Sequence, residues 1–172
     1  MLRVHPRLQE ICNREITFCE KFLGLWNTSN LDYVHINPGR DRSRSVNGKC
    51  HFPHKETGKG YRITCNIALA GGFPRFEYVR LKPIYYNGQI PKLEGIPNFS
   101  HFYYGHKNGK KWMTPLIKFP VQSPGRALIW IFGHEVFHWL RHSKQVEGRN
   151  VEWQADLYGM FIVDLYGRDF FK

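Results

Sequence analysis

The stretch SPGRALIWIFGHEVFHWLRHSK (123–144) constrains this chain more than any other. Ser123 is a good helix N-cap and Pro124 suits the first helical position, so a helix is predicted from about 124 to 143. Apolar residues wrap nearly its whole circumference up to Gly133, which sends the first half of the helix into the middle of the fold. His134, Glu135 and His138 therefore lie on a buried helix, where polar side chains without partners are costly. Residues i and i+4 differ by about 40° in direction and about 6 Å in height, so His134 and His138 can aim two imidazoles at one metal ion. Glu135, between them, is placed to act on a water at the open position of that metal as general base. His142 stands about 12 Å along the axis and about 80° round from His134, beyond the reach of a shared ion.

HExxH is short enough to arise by chance in a chain with nine histidines, so a third ligand is needed to give it weight. Some zincins place a third His soon after HExxH by way of a glycine turn, and HWLRH has no such glycine. NVEWQAD supplies the alternative. Glu152 follows His138 by fourteen residues and Asp156 comes one turn later on the same face of a second helix. Glu152 completes a set of two His and one Glu with a fourth position left for water. Asp156 is placed to accept from the free ring nitrogen of a ligating histidine, His134 first among them. Ala155 and Gly159, small residues one turn apart, let the two helices approach closely enough to share an ion.

HEVFH followed by EWQAD resembles the gluzincin zinc metallopeptidases, in which HExxH and a downstream ExxxD share one zinc. The short spacer makes the chain look more like the minimal single-domain zincins, the SprT-like and ImmA/IrrE-like groups, than like a large secreted protease. The likeness covers residues 124–166. It implies zinc on His134, His138 and Glu152, with Glu135 as the base and Asp156 behind the ligands. SprT-like members take their third ligand from a later His; no His follows His142 here, which favours a member with a Glu ligand. Such enzymes also use a His, Tyr or Arg donor in the transition state, and Tyr158, His142 and Tyr104 are equal candidates.

The remainder reads as an α+β fold of one domain over 1–172. Apolar residues from Leu8 to Leu23 form the stripe of an amphipathic helix over 6–25. YVHINP (33–38), KCHFPH (49–54), YRITCNIAL (61–69) and FEYVRLKPIYY (76–86) are predicted as antiparallel strands, and HKNGKK marks a further hairpin. Asn150 is the expected cap of the last helix and Gly167 its stop. The zincin-like layout expected is an N-terminal helix, a mostly antiparallel sheet, the HExxH helix, and a C-terminal helix carrying the Glu ligand. TCNIALAGG (64–72) is the strand expected to hold a peptide substrate by edge pairing.

A net charge of +11 favours polyanionic partners. The charge gathers in GRDRSRSVNGK (39–49) and GHKNGKK (105–111), which makes Arg40, Arg42, Arg44, Lys110 and Lys111 candidate nucleic-acid contacts. The longest apolar run is ALIWIFG, far short of the roughly 20 residues of a membrane span, and the N-terminus has no signal-peptide core, so an intracellular protein is expected. Cys12 and Cys19 lie about 10 Å apart along one helix, too far for a disulfide. Cys50, His51, His54 and Cys65 could hold a second metal, but their spacing fits no common zinc knuckle, and buried thiols beside exposed histidines account for them better. The chain thus reads as a zinc metallopeptidase acting on polypeptides. The alternatives are a protease recruited to nucleoprotein by its basic loops, and a non-catalytic nucleic-acid-binding module with a structural zinc. Glu135 separates the last of these, since a structural site has no need of a base.

Overall fold

A computed structural model describes residues 1–39, 47–57, 59–70, 72–89 and 99–168. Among these residues the fold is α+β, with four α-helices and two sheets. The first sheet has the order β1-β2-β4-β3, built from β1 (Leu2–Val4), β2 (Leu31–Pro38), β4 (Tyr61–Ile67) and β3 (Asn47–His51). Two short helices, α1 (Pro6–Ile11) and α2 (Asn13–Leu23), cross from β1 to β2, and such a crossover makes the two strands parallel.

The single helix expected over 6–25 is broken at Cys12, which leaves helical geometry (φ −124°, ψ 28°) and serves as the C-cap of α1 and the N-cap of α2. Most of the expected apolar stripe survives the break: Leu8, Cys12, Ile16, Cys19, Phe22 and Leu23 are buried, whereas Ile11, also expected on it, is the last residue of α1 and stands exposed. β2 and β4, expected to be antiparallel, are parallel neighbours. The chain reverses twice between them, once into β3 and once out of it, and β3 pairs on the far side of β4. β4 is consequently flanked on both sides along most of its length, and the edge strands of this sheet among the described residues are β1 and β3.

The second sheet is antiparallel and organised on β8 (Lys110–Val121). β5 (Arg75–Arg80) pairs with Leu116–Val121, β6 (Ile84–Tyr86) with Lys111–Met113, and β7 (Phe99–Lys107) with Lys110–Ile117. FEYVRLKPIYY is therefore two strands, parted around Pro83, which has no N–H for a ladder. The hairpin of HKNGKK is present. Its two-residue turn, Asn108–Gly109, has positive φ at both positions (52° and 73°), as a primed turn requires.

α3 (Pro124–His142) runs through the core, buried nearly without interruption from Ala127 to Leu140. Ser123 caps it, its Oγ accepting from the N–H of Arg126. α4 (Glu152–Gly167) packs along α3 at two glycines. A Cβ on Gly133 would lie 3.1 Å from the Cα of Gly159, and one on Gly159 would lie 2.7 Å from the carbonyl oxygen of Trp130. The obstacle at Gly159 is backbone, which cannot rotate away. Gly159→Ala should therefore lower stability by about 1–3 kcal/mol, the cost of overpacking, where the same change in an open helix adds up to about 1 kcal/mol. Urea unfolding of the two proteins measures the difference, and an unchanged midpoint would remove the glycine contact from the account.

Candidate metal centre

α3 and α4 bring together three side chains that can hold a metal. One ligand atom from each of His134, His138 and Glu152 lies within 4.8 Å of the others. The two Nε2 atoms are 3.1 Å apart, and the Glu152 carboxylate stands 3.6 Å from that of His134 and 3.5 Å from that of His138. Each ring is held from behind. Asp156 Oδ1 lies 2.8 Å from His134 Nδ1 and holds that side of the ring. His138 Nδ1 donates to the side-chain oxygen of Asn150 at 2.5 Å. With Nδ1 engaged in both rings, it is Nε2 that faces Glu152 and that becomes the ligand atom once His134 has shed its proton.

His134, His138 and Glu152, expected to come together, do so, and Asp156 lies behind His134. Asn150 does not cap α4. The cap residue is Val151, which makes no side-chain cap bond, and Asn150 turns instead to His138. Arg80 at the end of β5 has no signature in the sequence, yet its backbone N–H donates to Asp156 Oδ2 at 2.8 Å and its guanidinium to Glu152 Oε2 at 3.1 Å. Gly48 was also hidden, inside a basic stretch that reads as a loop. It lies on β3 against Glu135, where a Cβ would come 2.6 Å from the Glu135 carboxylate.

Burial raises the Glu135 carboxyl, and the charges of Glu152 and Asp156 add to the rise. The charge of His134 and the backbone N–H of Cys50 oppose it, and the group settles at about 7. Burial depresses His134, but its contacts with Asp156 and Glu152 outweigh that and hold it at about 9. The contact with His134 takes Glu152 down to about 2. His138 is lowered, mainly by burial.

A cleft of about 500 Å³ opens over these groups, with β3 on one side and β5 on the other. Its charged lining is four carboxylates, Glu77, Glu135, Glu152 and Asp156, against Lys49 and Arg80. In a chain of net charge +11, this is where negative charge collects. Two imidazole lone pairs, a carboxylate and an acidic surround suit a divalent cation of the zinc type.

The other candidates lie elsewhere. His142 stacks on Phe52 at 4.1 Å, and its Nδ1 lies 2.6 Å from the Tyr61 hydroxyl. Tyr158 packs between Phe137 and Phe161, and burial pushes its hydroxyl up to about 12. Tyr104 is exposed on β7. None of the three lines the cleft, whereas Arg80 and Tyr78 do. Cys50 and Cys65 join no metal-binding group among the described residues, and burial raises both thiols, that of Cys50 to about 12. All four cysteines are free. Of TCNIALAGG, the part that lies on β4, residues 64–67, is not an edge, since β4 is paired on both sides, and Gly71 lies outside the described residues. Lys110 and Lys111 are exposed at the base of the β7–β8 turn, away from the cleft lining, and Arg40, Arg42 and Arg44 lie outside the described residues.

No protein-family model, curated protein or solved structure matches the chain, so its geometry alone carries the functional argument. Removing either support behind the histidines should weaken metal binding by about 10 to 100-fold, for Asp156→Ala through His134 and for Asn150→Ala through His138. His142→Ala should leave the affinity unchanged. Competition with a chromophoric chelator measures all three; a loss of metal in His142→Ala would contradict the ligand set.

Proposed function

We propose that this protein is a zinc-dependent metallopeptidase that hydrolyses peptide bonds in polypeptide substrates. The reading rests on one conjunction: a His134, His138 and Glu152 trio at ligand spacing with the buried Glu135 carboxyl beside it. His134, His138 and Glu152 would hold the ion. Bound there, zinc supplies Lewis-acid polarisation of the scissile carbonyl and a lowered pKa for water.

Glu135 takes the proton of the attacking water and passes it to the leaving amine. A carboxyl at about 7 suits both halves of that task at neutral pH. Arg80 and Tyr78 are the cleft's donors for the oxygen on which negative charge develops. β3, the edge strand whose Gly48 and Cys50 line the cleft, offers a backbone ladder to an extended peptide. The absence of a side chain at Gly48 leaves room for Glu135 beneath that strand.

A structural zinc would recruit a fourth protein ligand and would not need Glu135, and the group here has three members among the described residues. Recruitment to nucleic acid is a compatible second reading, favoured by the net charge and by Lys107, Lys110 and Lys111 gathered at one hairpin. It calls for binding to an oligonucleotide that falls steeply with salt and weakens when Lys110 and Lys111 become Ala, with zinc content unchanged. Salt-independent binding, or none at low salt, would reject it.

Glu135→Gln should keep zinc and abolish hydrolysis, because the amide retains the shape but takes no proton. Glu152→Gln should lose zinc affinity together with activity. X-ray absorption should report a shell of nitrogen and oxygen without sulfur, and a zinc–sulfur shell or wild-type cleavage by Glu135→Gln would overturn the proposal.

The pH dependence has a definite sign. His134 in the metal-free protein stays protonated up to about 9, and Nε2 must shed that proton to bind an ion. Zinc affinity should therefore rise with pH, by up to about tenfold per unit below 9, and level off above it. The same raised pKa stabilises the metal-free fold below about 6.5, and that contribution disappears as pH climbs from there through 9. Calorimetric titrations in buffers of differing ionisation heat measure the proton release.

A further inference from the structure

A second cavity, of about 500 Å³, adjoins the metal cleft and shares Arg80 and Glu152 with it. It lies between the start of α4 and the turn from β5 to β6, and its walls carry Lys82, Arg149, Tyr85 and Trp153. Its charge is opposite to that of the cleft. Three cations, Arg80, Lys82 and Arg149, face one carboxylate, Glu152, and that carboxylate is already engaged by Arg80 and lies against the two metal-site imidazoles. Lys82 and Arg149 form no ion pair among the described residues, and both are exposed. The positive end of the α4 dipole adds to the same sign.

We infer that this cavity is a specificity subsite for an acidic side chain of the peptide substrate, with Lys82 and Arg149 as the residues that read its carboxylate. The inference rests on the peptidase reading for the substrate and on the cavity for the preference. A strand rises about 3.3 Å per residue, so a peptide crossing the metal cleft reaches a cavity that shares two residues with it within one or two positions. The aromatic faces of Tyr85 and Trp153 provide apolar wall for the methylenes of a Glu side chain, and the two cations meet its end. A carboxylate fits this site better than the phosphates of a nucleic acid, because the carboxylate of Glu152 at its boundary repels a polyanion running on into the acidic cleft.

The test uses C-terminally amidated fluorescent decapeptides in which one Glu moves along an otherwise neutral sequence, each with a Gln counterpart. Cleavage is measured with the zinc-loaded wild type and binding by anisotropy with Glu135→Gln. At one register Glu should be preferred over Gln by about tenfold in kcat/KM. In the double variant Lys82→Ala, Arg149→Ala that ratio should fall to near one, while cleavage of the Gln peptide stays within about twofold and shows that fold and metal are intact. Equal use of Glu and Gln peptides by the wild type, or a preference that survives in the double variant, would refute the subsite and leave the peptidase reading standing. No cleavage of any peptide, with a Glu preference in binding that the double variant loses, would refute the peptidase reading and retain the subsite. A preference restored only by a free C-terminal carboxylate, or an oligonucleotide that displaces the Glu peptide at stoichiometric concentration, would assign the cavity to another ligand and overturn the inference.

Discussion

The close approach of α3 and α4 at Gly133 and Gly159 is the constraint from which the site follows. Two helices with ordinary side chains at their contact sit about 8–10 Å apart, and a glycine on each side allows less. At that separation the first turn of α4 carries Glu152 to the two imidazoles of α3, and its second turn sets Asp156 behind His134. His134, Glu135 and Asp156 are each under a tenth exposed. Charged groups so deeply buried persist only where each is matched by a partner. Here Asp156 is met by His134 and Arg80, and Glu135 by the Cys50 N–H and the charge of His134. The network is closed by the helix pair, and one more methyl group at the glycines would force its two halves apart.

The sheets frame that helix pair. β3 ends the first sheet beside Glu135, and β5 brings Arg80 to α4 from the second. Asp156 takes the backbone N–H of Arg80, so a side chain of α4 is also the end-stop of a strand. Of the two strands that border the cleft, β5 is thus tied down at its Arg80 end, and β3 ends its sheet there with one side unpaired among the described residues.

HExxH, its helix and the ExxxD that follows were legible in the sequence because each is local, written within one helical period and dictated by i, i+4 geometry. The stripe over Leu8–Leu23 was legible for the same reason, although the break at Cys12 was not, since burial on one face continues across it. What the sequence concealed is non-local. The parallel pairing of β2 with β4 depends on which side of β4 the intervening strand joins, and alternation of side chains is the same in either case. Arg80 is one of many basic residues, and only the fold brings it to two carboxylates. Asn150 carried a true signal with two meanings, because a residue preferred at helix starts is also a good acceptor for an imidazole.

Charge ties these levels together. The chain as a whole is strongly basic, yet its cleft is acidic and the cavity next to it is basic again. The acidic patch suits a dication, since binding one there relieves the mutual repulsion of Glu135, Glu152 and Asp156 that contributes to holding Glu135 near 7. The basic patch lies at a boundary where Glu152 belongs to both. Arg80 pairs with that shared carboxylate from the far side, so the residue that orders the ligand also separates the two fields. On the peptidase reading proposed above, a substrate leaving the acidic cleft would enter the basic field at Arg80 and Glu152, the two residues that both cavities share. Selectivity by charge would then arise from the same helix–strand junction that brings His134, His138 and Glu152 together, without any additional element of structure.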